Sequence, residues 1–215
     1  MSPANLKLYQ SSSSPNSRRV RIYLAEKGLD VQQVPIDLGA KEQFSPAYTA
    51  INPRQVVPAL VLTDGTTIGE VPAIWRYLEE AFPQTPLLGV DAKDKALVTM
   101  WERRMELEGF AAVMEGVRNK VAGLKDRAIA GPHGYAQIPE LVARSEQRVA
   151  NFYADLEERL KVSPFVAGQA LSVADITAVV TIDFAKGGLG VPIPETGATT
   201  RRWYEAISAR PAFKA

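Results

Sequence analysis

The first 40 residues alternate apolar and polar positions in two short runs separated by a helical stripe. Residues 6–9 alternate as a strand would, and Gly28 then ends the helical stripe, since glycine suits the left-handed conformation that closes many helices. The second alternating run, 34–38, contains Pro35, which cannot donate to a sheet ladder. The pattern therefore predicts a strand, a helix and an edge strand.

A hairpin and another amphipathic helix are predicted between residues 50 and 81. A strand around Leu60 is followed by the turn residues Asp64 and Gly65, and 66–69 runs back. Residues 46–51 offer a short helical or irregular segment before this hairpin. The predicted order is β-α-β-α-β-β-α.

The start of this hairpin and the helix after it have features of a peptide-binding site. Pro58 stands where a strand begins, and the Val57-Pro58 bond is a candidate for the cis form. This would leave the backbone N–H and C=O of Val57 free to pair with an extended peptide. Glu70 precedes a helix with Pro72 in its first turn, where backbone N–H groups can hold a charged group. The segment is predicted to bind a small peptide through the peptide's main chain.

Beyond Pro83 and Pro86, which break the pattern, every periodic stretch has helical spacing. The helix that begins at Ser172 is unusually apolar, which predicts a central position, and Ser172 with Asp175 forms a capping box. One long amphipathic helix is marked by a stripe of Leu97, Met100, Leu107, Ala111, Met114, Val117 and Val121. The predicted parts are an N-terminal domain at 1–82, a linker at 83–92 and an all-helical domain at 93–215.

Composition excludes several kinds of chemistry. The 215 residues carry a net charge of +1 with acids and bases interspersed, so neither nucleic acid nor membrane is expected as a partner. The absence of cysteine removes disulfides, cysteine nucleophiles and cysteine metal sites, and one histidine argues against a zinc centre or a histidine-based triad. A cytoplasmic globular protein without a metal is expected.

Four sequence pieces in this order resemble the cytosolic glutathione transferase family, and the resemblance covers essentially the whole chain. The pieces are INPRQVVPAL at 51–60, the Glu-x-x-Ala-Ile-x-x-Tyr-Leu stretch at 70–78, Ser-x-x-Asp at 172–175 and Ala-Arg-Pro-Ala at 209–212. The resemblance implies a thioredoxin-like N-terminal domain, an all-α C-terminal domain, glutathione as co-substrate and a homodimer.

The resemblance also implies which residues hold glutathione. In this family the residue before the cis proline pairs with the cysteinyl main chain, which falls on Val57 before Pro58. The acidic residue at the helix start takes the γ-glutamyl ammonium, which falls on Glu70. Gln43 and Gln55 stand where a polar residue contacts the glycyl carboxylate.

Three positions depart from the family pattern. Val71 stands where the family usually has a serine that holds the γ-glutamyl carboxylate, and Gln55 and Val56 replace the usual glycine and Lys/Gln. Loss of one charge-assisted hydrogen bond costs about 1.5–3 kcal/mol unless the helix N-terminus at Val71 compensates.

Catalysis requires the glutathione thiol as a thiolate, which a hydroxyl at a helix N-terminus can stabilise. The interval between Ser14 and Arg18 matches that of serine-type members, so the resemblance favours Ser14, with Ser11 and Tyr9 as alternatives. From the residues alone, Ser14 before Pro15 is equally a plain helix cap.

The leading hypothesis is an enzyme that adds the glutathione sulfur to a hydrophobic electrophile, displaces a leaving group or reduces a peroxide. Phe110, Met114 and Val117 are the candidates for the second-substrate pocket. The alternative is a non-catalytic protein of the same fold that binds apolar ligands or partners. A thiol–disulfide oxidoreductase is nearly excluded because cysteine is absent.

Overall fold

The structure is a computed structural model that describes residues 2–215, so Met1 of the predicted first domain lies outside the described residues. The chain divides into two compact units. The first contains the chain up to Pro86 together with 130–132 and Ala215, and the second contains 87–129 and 133–214.

Unit 1 contains a four-stranded sheet. The strands are β1 (Lys7–Gln10), β2 (Gln32–Pro35), β3 (Ala59–Val61) and β4 (Thr67–Ile68). Their order is β2-β1-β3-β4, with β2 parallel to β1 and the other pairs antiparallel. The predicted edge strand is confirmed but begins and ends earlier than 34–38. The ladder stops at Pro35, and beyond it the Ile36 N–H still donates to the Gln10 carbonyl at 2.8 Å.

The helices of unit 1 follow the predicted order. They are α1 (Pro15–Lys27), α2 (Pro46–Ile51) and α3 (Val71–Ala81), with a 3₁₀ turn at Glu42–Phe44. Gly28 closes α1 at φ 65°, and the Leu29 N–H donates to the Leu24 carbonyl at 2.9 Å, as in a Schellman motif. α1 and α3 pack together, and the rings of Tyr23 and Trp75 stack with centroids 5.9 Å apart.

Unit 2 is helical. Its longer elements are α4 (Ala92–Arg104), a π-helical turn (Met105–Phe110), α5 (Ala111–Lys120), α6 (Glu140–Lys161), α7 (Val173–Phe184), a second π-helical turn (Ala185–Leu189) and α8 (Ala198–Ser208). Every residue from Val173 to Ile182 is buried, so the predicted central position of this helix is confirmed. The predicted capping box of Ser172 and Asp175 is present. No helix within residues 2–215 is long and apolar enough to cross a membrane.

The predicted apolar stripe of the long helix is partly wrong. Four of its members are exposed by 37–50%: Leu97, Met100, Leu107 and Val121. The buried face instead includes Gly109, where an added Cβ would lie 2.6 Å from the Phe152 ring, and Gly116, where it would lie 2.9 Å from the Leu189 side chain. Because these close helix contacts require glycine, hydrophobicity alone does not identify this face.

The N-terminus of α8 is capped from another helix. The Glu157 carboxylate on α6 accepts hydrogen bonds from the Thr199 N–H (3.0 Å), the Thr200 N–H (2.7 Å) and the Thr200 hydroxyl (2.8 Å). Gly197, the residue before α8, provides no side-chain cap, and Glu157 instead satisfies two of the free N–H groups of the first turn. Burial raises the pKa of Glu157, but the hydrogen bonds from Thr200 and Thr199 outweigh it and lower the pKa to about 2.

We expect Glu157→Gln to destabilise the protein in a pH-dependent way. The folded pKa lies below the ordinary value, so the carboxylate stabilises the fold above about pH 4.5 and this contribution is lost as the pH falls toward 2. The free energy of unfolding should fall by about 1.5–3 kcal/mol at pH 7 and by much less at pH ~3. Denaturant unfolding at both pH values measures this. Glu158→Gln, at an exposed neighbour, is the control, and an equal loss at both pH values would contradict the assignment.

Candidate functional site

The serine-rich turn joins β1 to α1 and is largely buried. Ser14 is the N-cap of α1, and its Oγ accepts a hydrogen bond from the Ser17 N–H at 3.2 Å. Ser11 and Ser14 are 5% and 8% exposed, whereas Ser12 and Ser13 are exposed. Ser14 therefore stands at the positive end of the α1 dipole with only a narrow opening to solvent.

Three serines of this turn form a closed set of hydrogen bonds. The Ser11 N–H donates to Ser17 Oγ (3.2 Å), the Ser17 N–H donates to Ser14 Oγ, and the Ser14 N–H donates to the Ser11 carbonyl (3.1 Å). Within residues 2–215 the Ser14 hydroxyl proton has no acceptor. Ser14 Oγ is thus held by a backbone donor, and its own proton is available to a ligand.

The two alternatives to Ser14 are placed differently. Ser11 Oγ shares a hydrogen bond with Ser13 Oγ at 3.2 Å. Tyr9 packs against a buried cluster that contains Tyr48 and Val57, and its ring centroid lies 6.0 Å from that of Tyr48. Of the three candidates, Ser14 combines a cap position with an uncommitted proton, while its catalytic role stays a prediction.

The loop before β3 is held in part through the carbonyl of Val56. Val56 C=O accepts hydrogen bonds from the Tyr48 hydroxyl (2.6 Å) and the Asn52 side-chain amide (2.8 Å). The Val57-Pro58 bond is cis, as the sequence predicts. In the described part of the chain the N–H and C=O of Val57 have no partner. These two groups are open for main-chain pairing with a ligand.

Glu70 has an unusual backbone conformation at the start of α3. Its φ is 61° and its ψ 125°, a region that costs a non-glycine residue about 1–3 kcal/mol and that is typical of ligand sites. The exposed Glu70 side chain makes no cap hydrogen bond to the helix. The Val71 side chain is 4% exposed, and its N–H has no acceptor among residues 2–215. A carboxylate and a free helix N–H are therefore adjacent in the chain.

The two glutamines lie on either side of α2. Gln43, in the 3₁₀ turn before it, is 2% exposed, and its Oε1 has no hydrogen-bond partner in the part of the chain that the structure describes. Gln55 has φ 55°, and its side-chain amide donates to Thr49 Oγ1 at 3.0 Å. An orphaned buried amide oxygen costs about 1–3 kcal/mol, so Gln43 indicates a place that a ligand or water completes.

Several residues that support the site were not identified from the sequence. Tyr48 and Asn52 hold the carbonyl before Val57, and Ser17 lies within the serine set. Burial raises the pKa of the Tyr48 phenol to about 12, so it remains a hydrogen-bond donor at neutral pH. An Asn-Pro pair is a turn signal that could have indicated Asn52, but no local pattern marks Tyr48 or Ser17.

The candidates for the second-substrate pocket belong to the helical interior of unit 2. Phe110 is 5% exposed and packs on Phe184, with ring centroids 5.9 Å apart, and Val117 is 8% exposed beside Gly188. Met114 is half-buried. A cleft of about 480 Å³ in unit 2 lies between α6 and the 191–197 loop and contains none of the three, so their role stays a prediction.

Comparison with known proteins identifies the class of this chain. Residues 8–86 match the family model of the glutathione S-transferase N-terminal domain, and 139–215 match that of the C-terminal domain. The chain is 32% identical to glutathione S-transferase 2 of Saccharomyces cerevisiae over 225 residues, which cover 96% of this chain and 87% of that protein. Over 93 residues, 42% of this chain and 44% of the relative, it is 46% identical to the maleylacetoacetate isomerase of Pseudomonas aeruginosa.

A solved structure agrees with these matches and covers nearly all of the chain. The crystal structure of a glutathione S-transferase domain-containing protein from Marinobacter aquaeolei superposes with a TM-score of 0.88 at 33% identity, covering 96% of this chain and 98% of that one. The fold is that of glutathione-dependent enzymes with a small mixed sheet and a helical domain. The chain belongs to the glutathione S-transferase family.

Proposed function

We propose that this protein binds glutathione on unit 1 and transfers its sulfur to a hydrophobic electrophile. The observation that carries the proposal is the unpaired backbone of Val57, held in place through the carbonyl of Val56. A tripeptide can add to this edge by its main chain, as a short strand adds to a sheet. The open carboxylate of Glu70 suits the γ-glutamyl ammonium, and the free Val71 N–H suits the adjacent carboxylate.

Ser14 is the proposed thiol-activating residue. Its hydroxyl would donate to the sulfur, while the dipole of α1 adds positive potential at the same point. The glutathione proton leaves to solvent and the thiolate sulfur bonds to an electrophilic carbon. In a substitution the leaving group departs from that carbon with its electron pair; in an addition to a double bond the electron pair of the broken π bond moves to the neighbouring atom, which accepts a proton from solvent. Lowering the thiol pKa by ~2 units requires about 2.7 kcal/mol, which a hydrogen bond to a charged group and a helix end together supply.

The first experiment is calorimetric titration of the protein with glutathione. We expect binding to the wild-type protein and roughly tenfold or greater weakening in Glu70→Gln, because the variant loses a charge-assisted contact to the ammonium. Glu80→Gln on the same helix is the control, since Glu80 and its partner Arg76 are both exposed. If the wild-type protein gives no heat at millimolar glutathione, the proposal is overturned. If Glu70→Gln binds glutathione with unchanged affinity, only the assignment of Glu70 to the site is wrong.

The resemblance to maleylacetoacetate isomerase favours a second candidate reaction. A bound thiolate can add to a conjugated cis alkene, the resulting single bond rotates, and elimination returns the trans alkene with free glutathione. The same activated sulfur serves both reactions, and the electrophile decides between them. Incubation with maleylacetoacetate and catalytic glutathione tests this candidate, because isomerisation consumes no glutathione and conjugation consumes it stoichiometrically.

We also propose that the protein is a homodimer. Leu97 and Met100 lie on one face of α4, and Leu107 follows in the π-helical turn; all three are 37–50% exposed in the single chain. Light scattering at micromolar concentration should give twice the mass of the 23.4 kDa chain, and Leu97→Glu with Met100→Glu should give the monomer. Val162→Glu, at a residue 77% exposed, is the control. A monomeric wild-type protein would contradict the proposal.

A further inference from the structure

Arg21 lies one helical turn beyond Ser17 on α1 and reaches back toward the serine turn. Its Nη1 donates to Gln10 Oε1 at 2.7 Å and to the Ser11 carbonyl at 3.1 Å. Gln10 ends β1 and is 9% exposed. One guanidinium therefore joins the end of the strand to the middle of the turn, beside the N-terminus of the helix that carries it.

The Ser11 carbonyl is the point at which Arg21 meets the serine set. This oxygen accepts both the Arg21 guanidinium and the Ser14 N–H, each at 3.1 Å. Ser17 closes the set on the other side, because its Oγ accepts the Ser11 N–H and its N–H donates to Ser14 Oγ. Each hydrogen bond of the set fixes a backbone or hydroxyl group whose position determines where Ser14 Oγ lies.

The arginine is held where a positive charge is unfavourable. It is half-buried, and burial followed by the charge of Arg18 lowers the pKa of its guanidinium. A purely structural bridge between Gln10 and Ser11 needs no cation in this setting, since a neutral donor makes the same bonds at a lower desolvation cost. A charged donor binds a carbonyl more tightly and holds it in a narrower range of positions.

We propose that Arg21 is a positioning residue for Ser14, acting through the Ser11 carbonyl and the Gln10 side chain. The inference rests on the proposed function, in which the Ser14 hydroxyl donates to the glutathione sulfur. In this assignment Arg21 does not contact the sulfur. Arg21 restricts the conformation of the serine turn, so that the Ser14 hydroxyl stays directed at the sulfur. A displacement of about 1 Å at a catalytic group is enough to reduce turnover substantially.

The test is the ultraviolet absorbance of bound thiolate as a function of pH, with steady-state kinetics, on the full-length protein saturated with glutathione. Arg21→Met should raise the bound thiol pKa by about 0.5–1 unit and lower kcat roughly three- to tenfold, with KM for glutathione changed less than about twofold. Arg21→Lys keeps the charge and one donor, so it should recover part of the loss; it also serves if the methionine variant fails to fold. Arg76→Met, at an exposed arginine of the same unit, is the control.

The double variant Ser14→Ala with Arg21→Met separates positioning from other roles. If Arg21 acts through Ser14, the double variant has the same thiol pKa as Ser14→Ala alone. An additive shift would overturn the inference in favour of a direct charge effect on the sulfur, and an unchanged pKa in Arg21→Met with a lower melting temperature would leave only a structural role. A wild-type protein that forms no thiolate would instead refute the proposed function.

Discussion

Replacing Ser14 with alanine is expected to lower kcat with a chlorodinitrobenzene roughly ten- to a hundred-fold and to raise the pKa of the bound glutathione thiol. The hydroxyl stabilises the charged form of the sulfur, and a lost hydrogen bond to a charged group costs about 1.5–3 kcal/mol. The tripeptide itself is held by Val57, Glu70 and Gln43 in the proposed complex, so glutathione affinity should change little. The dipole of α1 leaves residual activity.

Ser14 also caps α1, so the variant needs a control for the lost cap. Asp91→Ala is matched, because Asp91 caps α4 by accepting the Asp94 N–H at 2.8 Å and lies in the other unit. Both variants should lose about 1 kcal/mol of stability, but only Ser14→Ala should alter the thiol pKa. Ser11→Ala and Tyr9→Phe are measured in parallel. Full activity in Ser14→Ala, with a loss in either of those, would move the role to that residue and leave Ser14 as a cap.

Replacing Lys27 with methionine is expected to lower the free energy of unfolding by about 3–5 kcal/mol. The fully buried ammonium donates to Glu79 Oε2 (2.7 Å), the Gln84 carbonyl (2.8 Å) and the Thr85 carbonyl (3.1 Å). The Glu79 carboxylate also accepts the Tyr23 hydroxyl at 2.6 Å. Burial, followed by the hydrogen bond and charge of Glu79, raises the pKa of Tyr23 well above its usual value. Removal of Lys27 takes this ammonium away from the buried Glu79 carboxylate and leaves the two carbonyls without their donor.

Chemical denaturation of three variants tests this explanation. Arg76→Met breaks the exposed Arg76–Glu80 pair, whose side chains are 65% and 70% exposed, and should cost less than about 1 kcal/mol. Lys27→Met combined with Glu79→Leu removes both buried charges and should recover much of the loss. If the double variant is less stable than Lys27→Met, an uncompensated charge at Glu79 is not the source of the cost.

Local sequence was sufficient for the order of elements in unit 1 and for several of their ends. Gly28 closes α1, Pro35 ends an edge strand, and Ser172 caps α7 through partners a few residues away. The cis bond before Pro58 was also expected from its place at the start of a strand. Such features depend on backbone restrictions and short-range hydrogen bonds, which neighbouring residues specify.

Local sequence predicted only part of the candidate site. Val57, Glu70 and Ser14 were selected from motif and position, and the structure leaves a hydrogen-bonding group of each available to a ligand. Tyr48 and Arg21 hold the loops around the site, but neither belongs to a periodic pattern or to one of the four family-like pieces of the sequence. Tyr48 bonds the Val56 carbonyl and Arg21 bonds the Ser11 carbonyl only because the folded backbone brings these oxygens within reach of the two side chains.

Sequence by itself determined the order of the helices and strands of this protein and several of their ends, because apolar periodicity and caps act over a few residues. Only the tertiary structure decided which face of the long helix is buried, since Gly109 meets Phe152 from a different helix. It also decided that Glu157 caps α8 and that Lys27 pairs with Glu79, partners 42–43 and 52 residues apart in the chain. Interactions over such separations follow from the packing of whole elements, which local propensity does not specify.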